Sequence, residues 1–323
     1  MIEQIREDVD PVLVLDHVSK SYEMKDGGHL TAVKDVSLTM KSGECLAIIG
    51  ESGCGKSTLA RLAAHLEPPD SGRIIYQGVP IHRLYKNGFK EYRRQVQLVF
   101  QNPASVFSPR MRIGTFLMEP WINYEKKSRK EAAEMARYSL KRVGLPEEYF
   151  YKYPHQLSGG ELQRAVIARA IAIHPKLLIC DEATSALDVS VQKQIMDLLR
   201  EHQQEAGISV LFISHDLALA ENFGDRIAVM YLGEIVEWLE GRHLRKYAAH
   251  PYTRALLESV FSVYDDPQKE IPILPGEPPD PMELHAGCVF SSRCKKAKPE
   301  CYQKKPQMRE ISPGHQVSCF CLE

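Results

Sequence analysis

Short apolar runs, set off by glycine, proline and polar residues, recur through the first 240 positions of the chain. Residues 12–15, 32–38, 45–49, 73–76, 96–100, 176–182 and 210–214 read as strands, rich in Val, Ile and Leu. Residues 58–66 and about 191–205 read as helices, and Pro68, Pro69, Asp70, Ser71 and Gly72 as a turn. Residues 21–28 read as a turn-rich stretch carrying one aromatic, Tyr22. From about 103 to 160 the pattern changes. Ala132, Met135, Ala136, Leu140 and Val143 recur at helical spacing, which predicts a helical insertion. The charged run 125–131 reads as its solvated face. Residues 1–11 read as a loose leader. Strands alternating with helices predict an α/β fold.

One stretch organises this pattern. Gly50, Glu51, Ser52, Gly53, Cys54, Gly55, Lys56, Ser57 and Thr58 join the 45–49 strand to the 58–66 helix. The spacing G-x-x-x-x-G-K-S between a strand and a helix is the phosphate-binding loop. Its glycines let backbone N–H groups turn toward phosphate oxygens, and the helix start adds partial positive charge. Lys56 is suited to the β- and γ-phosphates and Ser57 to Mg²⁺. Three other strands end in polar residues, where open α/β sheets bind ligands. Gln101 is placed to reach a metal or a water, or to cap a loop. Asp181 suits Mg²⁺, and Glu182 can polarise a water for attack on a γ-phosphate. His215 can donate to a phosphate or hold that water, or pack a loop. Ser158, Gly159, Gly160 and Glu161 have the spacing of a capping box at a helix start, and the glycines allow an anion to approach closely. Tyr22 is suited either to stack on a base or to pack at a strand end.

Composition narrows the class. Apolar and charged fractions of 44% and 26% are ordinary for a soluble globular chain, and a net charge of −1 gives no footprint for nucleic acid. The apolar runs fall far short of the ~20 residues that span a bilayer, and the acidic first residues do not read as a signal peptide. The expected location is the cytosol, with any membrane role exercised through a docked partner. Five of the eight cysteines lie between Cys288 and Cys321, which in a reducing compartment suggests metal before disulfides.

Taken together, the strand-tip residues and the phosphate loop resemble the nucleotide-binding subunit of an ABC transporter, over about residues 12–240. Residues 50–57 resemble the Walker A motif, Gln101 the Q-loop, 157–161 the signature and 177–181 Walker B. Glu182 then corresponds to the catalytic glutamate, 185–188 to the D-loop, His215 to the switch histidine and Tyr22 to the aromatic that stacks on adenine. The resemblance implies a P-loop NTPase (RecA-like) core with an antiparallel β subdomain and a helical signature subdomain. It also implies work in pairs, with ATP and Mg²⁺ held between the Walker motifs of one subunit and the signature of the other. The partners it implies are a second ATPase, two permease subunits and an extracytoplasmic binding protein, at the cytoplasmic face of the membrane. Two departures stand out. Glu161 replaces a glutamine common among relatives. Residues 104–110 differ from the usual Ser-Leu-Asn-Pro-Arg form, which bears on permease choice and not on hydrolysis.

Residues 241–323 read as a C-terminal extension. Residues 250–257 and the proline-rich stretch 272–279 resemble the tail of oligopeptide, dipeptide and nickel importer ATPases. Cys288, Cys294, Cys301 and Cys319 match that subfamily's four recurring cysteines, where some members hold an iron–sulfur cluster. Four thiolates in a segment with little apolar core suit a [4Fe–4S] cluster. Zinc is the competitor, although five residues between Cys288 and Cys294 exceed the usual zinc spacing. A plain thiol-rich tail is the third reading, and Cys321 is surplus to the four matched cysteines, which leaves the identity of the last ligand open.

Overall fold

The computed structural model describes residues 10–24, 27–84, 86–259, 279 and 286–322. The leader before residue 10 and the proline stretch 272–278 lie outside the described residues. In chain order the strands are β1 (Pro11–Glu23), β2 (His29–Lys41), β3 (Cys45–Ile49), β4 (Ser71–Tyr76), β5 (Val79–Pro80), β6 (Val96–Val99), β7 (Leu177–Asp181), β8 (Ser209–Ile213), β9 (Arg226–Tyr231), β10 (Glu234–Glu240), β11 (Arg309–Ser312) and β12 (His315–Val317). The helices are α1 (Lys56–Ala63), α2 (Lys86–Gln95), α3 (Ile113–Asn123), α4 (Arg129–Arg142), α5 (Gly159–Ile171), α6 (Val189–Ala206), α7 (Leu217–Phe223), α8 (Leu244–Tyr247), α9 (Pro251–Glu258) and α10 (Pro299–Gln303). Contacts divide the chain into two compact units. Met1–Leu13, Thr39–Cys45 and Ile75–Ile213 form the first; Val14–Leu38, Leu46–Ile74 and Ser214–Glu323 form the second.

In the first unit β6, β7 and β8 are parallel neighbours, with Val96 opposite Leu177 and Leu177 opposite Ser209. Every residue of β7 and β8 is buried. A parallel strand covered on both faces is apolar throughout rather than alternating, which is why these runs stand out in the sequence. Parallel pairing also brings the C-terminal ends of β6 and β7 to one edge. Helices α3 and α4 fall within residues 103–160, and α5 begins at the end of that stretch. At the start of α4, Glu131 N–H donates to Ser128 Oγ at 3.3 Å and Ser128 N–H to Glu131 Oε2 at 2.9 Å, a capping box. The charged run 125–131 is therefore not one helical face. Residues 125–128 precede the helix, and Glu125 accepts two bonds from the Arg94 guanidinium, at 3.0 and 2.7 Å.

In the second unit β1 runs on through Tyr22 to Glu23, where local polarity predicts a turn. Tertiary bonds override that polarity: Asp70 accepts from Ser21 N–H at 2.7 Å and from Lys20 Nζ at 2.8 Å. Here β1 lies between β2 and β4, and a second run has the order β3-β9-β10-β12-β11. The β3–β9 pair is parallel, with Leu46 opposite Arg226; β12 adds antiparallel to β10, with Glu237 opposite Val317. The last strands of the chain thus extend the edge of β10. Glu237, fully buried on β10, holds them there. Its carboxylate accepts from the N–H groups of Ala249 and His250 and lies 2.8 Å from His315 Nε2. A buried carboxylate with that many partners is stable; the same group unpaired is not. Among the described residues no helix is long and apolar enough to cross a membrane.

Candidate nucleotide site and cysteine cluster

In the second unit the fully buried β3 delivers the chain into the phosphate loop, and α1 starts at Lys56. Two glycines are imposed by space. A Cβ on Gly50 would lie 2.1 Å from the Met230 carbonyl oxygen, and one on Gly55 2.0 Å from that of Ala32. Lys56 is only 4% exposed. Its ammonium donates to the carbonyls of Gly50 at 2.8 Å and Glu51 at 2.7 Å, so the loop closes around its own lysine. Cys54 is buried; burial pushes its thiol up, against the pull of Lys56. Tyr22 is half-buried on β1, and its hydroxyl donates to Glu67 at 2.8 Å. His215 is exposed, between Ser214 and the α7 N-cap Asp216, whose N–H donates to Ser214 Oγ at 2.9 Å.

In the first unit Gln101 follows β6 and Glu182 follows β7. Gln101 Nε2 donates to Glu182 Oε2 at 2.7 Å. Glu182 has φ of 48°, in the left-handed region that non-glycine residues rarely adopt. The strain is held by bonds at both ends of the residue. Its N–H donates to Ile213 O at 3.0 Å, and its carbonyl accepts from Ser185 N–H at 3.2 Å and Ser185 Oγ at 2.9 Å. Such over-determined strain of about 1–3 kcal/mol collects at functional positions. Asp181, one residue earlier, is 5% exposed.

Ser158 caps α5, where the predicted capping box is present. Glu161 N–H donates to Ser158 Oγ at 3.3 Å, and Ser158 N–H to Glu161 Oε2 at 2.7 Å. Gly159 opens onto free space, whereas a Cβ on Gly160 would press to 3.2 Å from Ala186 O. Tyr149 adds a bond the sequence does not announce, its hydroxyl donating to Glu161 Oε1 at 2.7 Å. That bond first, and then the Ser158 N–H, hold the Glu161 carboxyl below its ordinary range. A carboxyl depressed by folding contributes stability above its unfolded pKa of about 4.3 and loses it as pH falls through the folded value. Glu161→Ala should therefore cost about 0.5–1 kcal/mol at pH 7, as surface caps do. The difference from the parent should narrow toward pH 4, as urea unfolding at both pH values would measure.

At the C-terminus Cys288, Cys294, Cys301, Cys319 and Cys321 line one small cavity with His250, Pro251, Phe290, Ser291 and Phe320. Cys301 Sγ and Cys321 Sγ are 3.8 Å apart, and Cys319 Sγ accepts from Cys321 N–H at 3.2 Å. Burial raises the Cys288 thiol to about 12 and, with its neighbour Cys301, the Cys321 thiol to about 11. Without a cation these thiols stay protonated at neutral pH, so metal would bind by displacing protons. Among the described residues no group of three His, Cys, Asp or Glu side chains stands at metal-binding spacing.

Residues 33–185 match the ABC transporter family, and residues 236–301 match the oligopeptide/dipeptide transporter C-terminal region. The probable peptide ABC transporter ATP-binding protein y4tS of Sinorhizobium fredii is 44% identical over 319 residues, 96% of this chain and 90% of that protein. The chain belongs to the oligopeptide/dipeptide ABC transporter ATP-binding family. The oligopeptide transport ATP-binding protein AppF of Bacillus subtilis is 40% identical over 320 residues, 96% of this chain and 97% of that protein. Among solved structures, the dimeric ATP-binding cassette MJ0796 with ADP and Pi has a TM-score of 0.67 at 32% identity, over 71% of this chain and 99% of that one. The fold of this ABC ATP-binding chain is that of a P-loop NTPase.

Sequence reasoning alone misses one group of residues in this ABC ATP-binding chain. Tyr252 Oη accepts the Glu51 N–H at 2.8 Å, and the Arg293 guanidinium donates to both Glu51 carboxylate oxygens, at 2.7 and 3.1 Å. The partners lie 201 and 242 residues away, with no local signal to connect them.

Proposed function

We propose that this chain binds and hydrolyses ATP to power import of di- and oligopeptides. It would work as a peripheral subunit at the cytoplasmic face of the membrane, with a second ATPase, two permease subunits and an extracytoplasmic binding protein. The observation that carries the hydrolytic reading is Glu182, held in a strained backbone conformation with its carboxylate bonded by Gln101. In this reading the phosphate loop, residues 50–58, cradles the triphosphate, Lys56 neutralises its β- and γ-phosphates, and Tyr22 stacks on the adenine. Ser57, Asp181 and Gln101 offer the oxygen donors that Mg²⁺ takes, and the ion would offset charge on the phosphates. Glu182 polarises the attacking water, and His215 orients it. Ser158, Gly159, Gly160 and Glu161 serve the nucleotide of the partner subunit. Closure of the pair drives the permeases, and hydrolysis resets them. Residues 12–240 act as the ATPase domain, with the helical subdomain at about 103–160, and residues 241–323 as the extension.

The peptide reading rests on the match of residues 236–301 to the transporter C-terminal region and on relatives named for peptide transport. It is tested by purifying the chain with its membrane subunits and measuring ATPase activity with the cognate binding protein. Stimulation by peptides supports it; stimulation only by nickel or another small solute assigns a different cargo. For the cysteine segment we propose a structural [4Fe–4S] cluster on Cys288, Cys294, Cys301 and Cys319, on the resemblance of these four to the subfamily's recurring cysteines; the four line one cavity, and the cluster would have to draw them to metal-binding spacing. The cluster would staple a segment with little core of its own. About four iron and four acid-labile sulfide per chain, on protein purified without oxygen, is the expected result. Neither, on folded and active protein, overturns it.

A further inference from the structure

We infer that Arg293 and Tyr252, in the C-terminal extension, are positioning residues for the phosphate loop and set its affinity for nucleotide through Glu51. The inference rests on the ATP-binding reading and deepens it. Glu51 is held by all three of its polar parts. Its N–H goes to Tyr252, its carbonyl accepts from Lys56 Nζ, and its carboxylate takes both prongs of Arg293. The Arg293 side chain is 5% exposed, and its Nη1 also donates to Tyr231 Oη at 3.3 Å. Tyr231, Tyr252 and Phe290 pack ring against ring around this bond, at centroid distances of 4.5 to 5.3 Å.

The chemistry of the position explains why such a brace is needed. Glu51 puts a carboxylate in the loop whose task is to receive a polyanion. An uncompensated negative charge there would repel phosphates. A paired, bidentate guanidinium cancels it and fixes its direction, as Lys at this site would not. Arg293 sits on the short loop that joins Cys288 to Cys294. Within that loop Ser291 Oγ donates to Cys288 O at 2.7 Å, and Arg293 N–H to Phe290 O at 3.1 Å. The cysteine segment thus carries the counter-charge of the phosphate loop.

The test measures equilibrium binding of a fluorescent ATP analogue, together with KM and kcat, on the full-length chain. Arg293→Met should raise the dissociation constant about tenfold, the repulsion between two unit charges about 12 Å apart at an effective dielectric of about 20. The rise should appear in KM more than in kcat. Adding Glu51→Gln should restore most of that affinity, because it removes the repelling charge; a merely structural loss would not be rescued. Unchanged affinity in Arg293→Met, or a double variant as weak as the single one, overturns the inference. Should Arg293→Met fail to fold, Tyr252→Phe keeps the ring and removes only the acceptor of the Glu51 N–H. It should weaken binding about fivefold, the worth of one neutral hydrogen bond, and unchanged affinity there overturns the inference as well. A parent chain that binds no ATP would instead refute the ATP-binding reading itself.

Discussion

Glu182→Gln should bind ATP as the parent does and lose hydrolysis by a factor of about 10²–10⁴, the usual worth of a positioned general base. The substitution is close to a pure removal of basicity. The amide has the volume of the carboxylate, and its oxygen can still accept from Gln101 Nε2, which donates to Glu182 at 2.7 Å. The strained backbone should persist too, since its supports are the main chain of Ile213 and the backbone and hydroxyl of Ser185, none of which the substitution touches. Binding and turnover should therefore separate. Equilibrium nucleotide binding and single-turnover hydrolysis in the assembled transporter measure the two. Turnover at the parent rate would mean that another group polarises the water, and the strain at residue 182 would then need another purpose.

Lys56→Met should weaken ATP binding by roughly 10- to 150-fold, the range for losing one charge-assisted hydrogen bond worth about 1.5–3 kcal/mol. Methionine keeps most of the buried stem volume, so the test isolates the ammonium. Two losses add up in that one group. The phosphates lose a point charge, and the carbonyls of Gly50 and Glu51 lose the donor that draws the loop closed. Lys56→Arg makes a useful comparison. It keeps the charge but has to fit a planar fork where a compact ammonium lies 4% exposed. Affinity unchanged in Lys56→Met would remove the phosphate-loop assignment.

Much of the local structure around the candidate nucleotide site was legible because its signals are close together in the chain. The apolar run of β3, the glycine spacing and Lys56 lie within a dozen residues, and Ser158 and Glu161 announce their capping box by spacing alone. Buried parallel strands helped, since residues 177–180 and 210–213 are unbroken apolar runs and the polar residues that follow them stand out. The rest was hidden for physical reasons. Residues 21–23 extend β1 because the strand is hydrogen-bonded to its neighbours in the sheet, with Asp70 adding partners for Ser21 and Lys20 from 49 and 50 positions away. All four residues of β11 are exposed and show no alternation, so this edge strand left no pattern to read. The φ of Glu182 is a property of the backbone, which composition does not encode. Glu237 is one acid among many in the sequence, yet it gathers Ala249, His250 and His315 at a buried point.

The brace on Glu51 also has an order in time. Glu51 and Arg293 are 242 residues apart, and a ribosome adding roughly 5–20 residues per second makes them about 12–50 s apart. During that interval the strand, glycines and lysine of the phosphate loop already exist, but the charge that balances its glutamate does not. A nascent chain thus carries the whole motif well before it carries the residue that braces it, and on the inferred role of Arg293 full nucleotide affinity waits on the segment that holds it.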